Sequence, residues 1–137
     1  MRSIKRWVPA VVMTVGVSAP FAEAHHSISG MYDTREEITI EGIVEELRFV
    51  NPHPFLVLSV ENAGGTTEWL LEMDNRRELS RIGMSSETLK SGDRVTVIGN
   101  VSRQVSQRLY IRRLDRPSDG FRYEQVGSSP RINVPSR

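Results

Sequence analysis

The chain of 137 residues contains no cysteine. Disulfides, zinc–cysteine sites, iron–sulfur clusters, covalently attached haem and thiol nucleophiles are therefore excluded. Aromatic residues make up only 7%, and they form no stacking row of the kind that reads single-stranded nucleic acid. Beyond residue 24 the only lysine is Lys90, although arginine is plentiful. The signatures G-x-S-x-G and H-E-x-x-H, the P-loop, the dinucleotide fingerprint and the EF-hand spacing are all missing, which disfavours an enzyme.

Long apolar runs are also scarce. The one clear run, Val8 to Phe21, follows Arg2, Lys5 and Arg6 and precedes Ala22-Glu23-Ala24. A basic start, a short apolar stretch and a small-x-small site spell a secretory signal at residues 1–24, too short to span a membrane comfortably. The basic residues are not a twin-arginine pair, so the expected route is Sec-type export with cleavage after Ala24, giving a periplasmic or secreted protein. Removing Arg2, Lys5, Arg6 and Glu23 leaves 15 basic against 16 acidic side chains. A nearly neutral domain sets up no broad field for nucleic acid or an anionic membrane, and nucleic acid is not an expected partner.

What remains reads as one small β domain. Residues 25–35 are polar and read as an irregular lead-in, with Met31 and Tyr32 available to dock it. From Glu36 to Val50 the β pattern begins. Ile38 and Ile40 share one parity and Ile43, Leu47 and Phe49 the other, so the phase changes at Gly42, where a bulge is expected. Asn51 and His53 each precede a proline and are pushed to extended backbone. In the second strand Pro54, Leu56, Leu58 and Val60 face the core; Asn62 to Gly65 is a hairpin turn, and Thr66 to Met73 is the third strand.

Asn75 is a candidate N-cap for a short helix ending at Gly83. Strands follow at Arg94–Val101 and Gln107–Leu114. The order β-β-β-α-β-β predicts an all-β fold with one short helix, an OB-fold-like five-stranded barrel over residues 36–114. A small sandwich or SH3-like barrel is the alternative, which the helix position argues against. Residues 115–137, rich in Pro, Ser, Gly and Arg, read as a flexible C-terminal tail.

A set of short motifs runs through this frame: His25-His26-Ser27, Tyr32-Asp33, Glu41-Gly42, Asn51-Pro52-His53, Trp69 with Glu72-Met73, and Leu89 to Asp93 with Val95, Val97 and Gly99. In this order they resemble an uncharacterised family of small secreted bacterial proteins, a domain of unknown function, over roughly Ala24 to Leu114. The chain departs from that pattern at Ile28, where the family often has an aromatic, and at Asp74-Asn75-Arg76, where it often has Gly-Ser-Pro. The resemblance implies the fold and supplies no ligand or reaction.

The three histidines fall in two places, His25-His26 and His53. Cleavage after Ala24 makes His25 the amino terminus, and its amine, titrating near about 8, can chelate together with the imidazole. Nitrogen ligation of this kind suits copper, with His26 and His53 completing a site. Met73 would add a soft donor, and Glu72, Asp74 or Asp33 a carboxylate. From His25 to Glu36 the extended chain reaches roughly 36 Å, so the terminus can meet His53. The plainer reading makes the pair a solvated terminus and His53 a turn-holding hydrogen bonder. The expected function is thus a periplasmic binding module for copper, or a redox enzyme on the same site. The alternative is a metal-free module binding a protein or anionic ligand through the barrel face and an arginine hairpin of Arg103, Arg108, Arg112, Arg113 and Arg116. The plainer reading there is a solvated face balanced by Asp115 and Asp119.

Overall fold

The computed structural model describes residues 28–133. The signal expected at residues 1–24, His25, His26 and the last four residues lie outside the described residues. A one-turn helix α1 (Ile28–Met31) leads into the long strand β1 (Tyr32–Arg48). There follow β2 (Phe55–Asn62), β3 (Gly65–Glu72), the short helix α2 (Arg76–Arg81), β4 (Arg94–Ser102), β5 (Arg108–Arg116), β6 (Phe121–Val126) and β7 (Ser129–Asn133).

The strands join in the order β3-β2-β1-β4-β5-β6-β7, antiparallel between neighbours. One further pairing, β3 with β5, is parallel and matches Leu71 to Leu109. It returns the sheet on itself, so β1, β2, β3, β5 and β4 form a closed circuit. The circuit places the start of β1, the start of β2, the end of β3 and the start of β5 at one end of the fold.

In β2 Leu56 and Leu58 are fully buried and Val60 packs against the same core, as expected, while Val57 of the opposite parity is buried as well. Val95 and Val97 of β4, Leu109 and Ile111 of β5, and Leu71 of β3 join them, and Leu79 of α2 packs into the cluster. Asn75 caps α2 by accepting the Arg77 amide at 2.9 Å, and Gly83 ends the segment in a left-handed conformation with φ of 98°.

Four expectations are corrected. Among the described residues the strands number seven, not five, because the supposed tail folds: within residues 115–137, β6 and β7 form a hairpin that buries Phe121 and Tyr123. Alternation in Phe121-Arg122-Tyr123-Glu124-Gln125 is a β pattern, short enough to be masked by the surrounding Pro, Ser and Gly. The lead-in at residues 25–35 is not wholly irregular, since α1 and the first four residues of β1 fall within it. The bulge in β1 against β2 lies between Val44 and Glu46, not at Gly42, and it is Val44 rather than Ile43 that is fully buried. Gly42 instead permits close approach, because a Cβ there would collide with the Ser59 carbonyl oxygen.

Candidate functional site

The four strand ends that the circuit gathers carry one polar cluster. Its centre is Glu72, the last residue of β3, paired across the sheet with Phe55 of β2 and Tyr110 of β5. Pairing places its neighbour Leu71 in the core, so alternation turns Glu72 to the opposite face. There it is nonetheless buried, at 6% exposure. A carboxylate so placed must be matched by donors.

Three side chains supply them. Tyr32, the first residue of β1 and itself fully buried, donates its hydroxyl to Glu72 Oε2 at 2.5 Å. Arg108, the first residue of β5, donates to the same oxygen at 3.0 Å and to the Tyr32 hydroxyl at 3.0 Å. His53 Nδ1 meets the other oxygen, Oε1, at 2.8 Å. The Arg108 guanidinium also lies 5.3 Å from the centre of the Phe55 ring, which gives its face an apolar partner.

The corner that holds His53 is pinned by the backbone. The Met73 amide donates to the Pro54 carbonyl and the Arg76 amide to the Pro52 carbonyl, each at 2.9 Å. The connection between β3 and α2 thus grips the proline corner from both sides of His53. The Asn51–Pro52 peptide is cis.

The electrostatics assign the protons. Burial pushes the Glu72 carboxyl upward, but the hydrogen bonds from His53, Tyr32 and Arg108 outweigh it and hold the pKa at about 2. Glu72 is therefore a carboxylate at neutral pH and can only accept. It follows that His53 Nδ1 carries the hydrogen in that contact, which leaves Nε2 as the free ring nitrogen. The bond to Glu72, opposed by partial burial, raises the imidazole pKa above its ordinary value. Burial, then the bond to Glu72, pushes the Tyr32 phenol up, so it stays a neutral donor.

The arginines expected to form one basic patch are dispersed among separate partners. Arg103 meets Asp33 at 3.1 Å, Arg113 meets Asp115 at 2.6 Å, and Arg116 meets Asp93 at 2.6 Å and Asp119 at 2.8 Å. Arg108 belongs to the Glu72 cluster. Arg112 stands apart, reaching only the Gln125 carbonyl among the described residues, at 3.4 Å.

Met73 is fully buried in the apolar core, so the soft donor expected there is sequestered in this fold. Glu72, expected as a ligand, is instead the hydrogen-bond partner of the ligand candidate His53. Among the described residues no group of three His, Cys, Asp or Glu side chains is placed to hold a metal ion. The sequence offers Tyr32 as a docking residue and a motif position, and Arg108 as part of a basic patch. The motif set holds Tyr32, His53 and Glu72 and so points to three members of the cluster, while Arg108 lies outside it and carries no such signal.

Fold and site together define a small all-β domain with a buried carboxylate–histidine pair at one end. The chain belongs to the family of unknown function DUF6152, whose family model matches residues 12–109. No curated protein matches it. Among solved structures, the crystal structure of a mitochondrial single-stranded DNA binding protein from S. cerevisiae, Rim1, is similar at a TM-score of 0.48 and 13% identity. That alignment covers 60% of this chain and 92% of that one. No helix among the described residues is long and apolar enough to cross a membrane.

Proposed function

We propose that the protein is an exported binding module that takes up a transition-metal ion, copper first, through His53 and the amino-terminal His25 and His26. The reading treats the closed five-strand circuit as an OB-type barrel to which the β6–β7 hairpin has been added. The observation that carries it is the contact between His53 Nδ1 and Glu72 at 2.8 Å. A carboxylate accepting from one ring nitrogen fixes the tautomer, orients the ring and makes the other nitrogen a better donor to a metal. His53 keeps a quarter of its side chain exposed, so the imidazole is not closed off from solvent.

A second support is the position of Tyr32. Its bond to the carboxylate that holds His53 anchors the start of β1 beside the corner. From Tyr32 back to His26 is six residues, four of them in α1, so the reach is roughly 13 Å. Cleavage after Ala24 would supply the α-amine as a further nitrogen. The arginines do not form one joint anion site, because Arg103, Arg108, Arg113 and Arg116 are each matched by carboxylates. No substrate or turnover is part of the proposal.

The test is to purify the protein after export with its native signal, sequence its amino terminus and titrate it with Cu(II). The expected result is a start at His25 and one stoichiometric site, weakened at least about tenfold in His53→Ala and roughly 10- to 100-fold in Glu72→Gln. A start elsewhere, or binding indifferent to His53→Ala, overturns the reading.

A further inference from the structure

Tyr110 borders the Glu72 cluster, its ring centre 5.6 Å from that of Tyr32. It also lines a separate open cleft of about 380 Å³. Ile28 of α1, Asp74, Arg112 of β5, Gln125 of β6 and Gly127 of the β6–β7 turn contribute to its walls. The cleft exists because the β6–β7 hairpin folds beside β5 instead of trailing into solvent.

Two groups in this cleft are placed to meet a ligand. Tyr110 lines the cleft although the residue is only 3% exposed, and no side-chain hydrogen bond among the described residues uses its hydroxyl. Burial raises its pKa, so it remains a donor at physiological pH. Arg112 is the second. Unlike the neighbouring arginines it has no carboxylate in ion-pair range among the described residues, only the Gln125 carbonyl at 3.4 Å.

The opposite wall is already organised. Asp74 accepts the Gln125 side-chain amide and the Asn75 backbone amide, each at 2.6 Å. Gln125 in turn accepts the Tyr123 hydroxyl at 3.1 Å. Asp74 is thus held rigidly with its charge facing a cleft that also contains a guanidinium. A planar guanidinium beside a phenol suits a carboxylate. The neighbouring negative charge repels a second anionic group and welcomes a donor. A cleft of this size falls in the range of small-ligand sites.

We propose that this cleft binds a small organic monocarboxylate bearing a hydroxyl or amino group, with its carboxylate on Arg112 and Tyr110 and its donor toward Asp74. This site is distinct from the His53 corner and needs no metal.

The test is a titration of the mature protein, in the presence of EDTA, with lactate, alanine, succinate and inorganic phosphate, followed by calorimetry and by the NMR signals of Tyr110. Lactate or alanine is expected to saturate with a dissociation constant below about 1 mM, ahead of succinate and phosphate. Tyr110→Phe removes the hydroxyl, and Arg112→Gln removes the cation. Each is expected to weaken binding about tenfold with melting temperature retained, while Arg77→Gln on the exposed face of α2 leaves it unchanged. No saturable monocarboxylate binding below about 10 mM, tighter binding of phosphate or succinate, or affinity unmoved by both cleft variants overturns the proposal. Because EDTA is present, each of these results stands independently of copper uptake at His53.

Discussion

Tyr32 and His53 hydrogen-bond to opposite oxygens of the same Glu72 carboxylate. One residue opens the first strand and the other sits in the corner before the second, and a buried charge on the third joins them. Arg108, at the head of the fifth strand, completes the set. The cluster is at once a clamp on one end of the fold and the frame of the candidate site.

Neutralising the hub tests the clamp. Glu72→Gln keeps the shape but strands Arg108 and His53 without their counter-charge. A loss of roughly 2–4 kcal/mol in unfolding free energy is expected, measured by urea denaturation at pH 7. Tyr32→Phe, which removes one donor and leaves the charges paired, is expected to cost less, roughly 1–2 kcal/mol. Equal stability of Glu72→Gln and the native protein would show that the cluster does not clamp the fold.

The pH dependence of the metal-free protein follows from the same group. The folded pKa of Glu72, about 2, lies below the ordinary 4.5. Its contribution is therefore present above pH 4.5 and is lost as pH falls through that interval. His53 has the opposite sign. Its folded pKa is raised above 6.5, so its contribution is complete below that value and lost as pH rises through the folded pKa. Denaturation across pH should show a loss on the acid side that is reduced in Glu72→Gln, the remainder coming from Asp33, Asp115 and Asp119, whose carboxyls are also lowered, and a smaller loss on the alkaline side that is absent in His53→Gln.

Close approach at two glycines is expected to make alanine intolerable. A Cβ at Gly99 would strike the Tyr110 carbonyl oxygen and the Leu109 side chain, at a bulge between β4 and β5. A Cβ at Gly42 would strike the Ser59 carbonyl oxygen and the Leu58 side chain. Since backbone is among the obstacles at both sites, each substitution should cost roughly 1–3 kcal/mol or more, read as a shift in denaturation midpoint. Gly64→Ala, in the hairpin turn where the nearest atom is 3.4 Å away, serves as the tolerated control.

The C-terminal hairpin should prove structural. Tyr123 is fully buried and Phe121 nearly so. Tyr123→Ala is expected to cost about 3–5 kcal/mol, comparable to other buried aromatic truncations. Ending the chain after Pro117 should lower the melting temperature sharply. A truncated chain that melts like the full one would mean that β6 and β7 are dispensable.

Much of the fold was legible because its signals are local. Alternation marked β2, β4 and β5, two prolines marked the corner around His53, Asn75 and Gly83 marked the ends of α2, and the missing cysteines closed off whole classes of chemistry. Membership of an uncharacterised family was legible from motifs in order. The β6–β7 hairpin was hidden because five alternating residues amid Pro, Ser and Gly do not outweigh their surroundings. The location of the β1 bulge was hidden because a glycine at a phase change marks either a bulge or a close approach, and only the partner strand distinguishes them.

The site divides in the same way. The sequence by itself determined that His53 sits in a rigid corner and that its only companions of the same kind are His25 and His26. Tertiary structure alone decided that Glu72 faces His53, that Tyr32 and Arg108 hold Glu72, and that Met73 points its chemistry into the core. Strand alternation is written in neighbouring residues, but which strand ends meet depends on closing the sheet through β3 and β5, a pairing between segments 38 residues apart at Leu71 and Leu109.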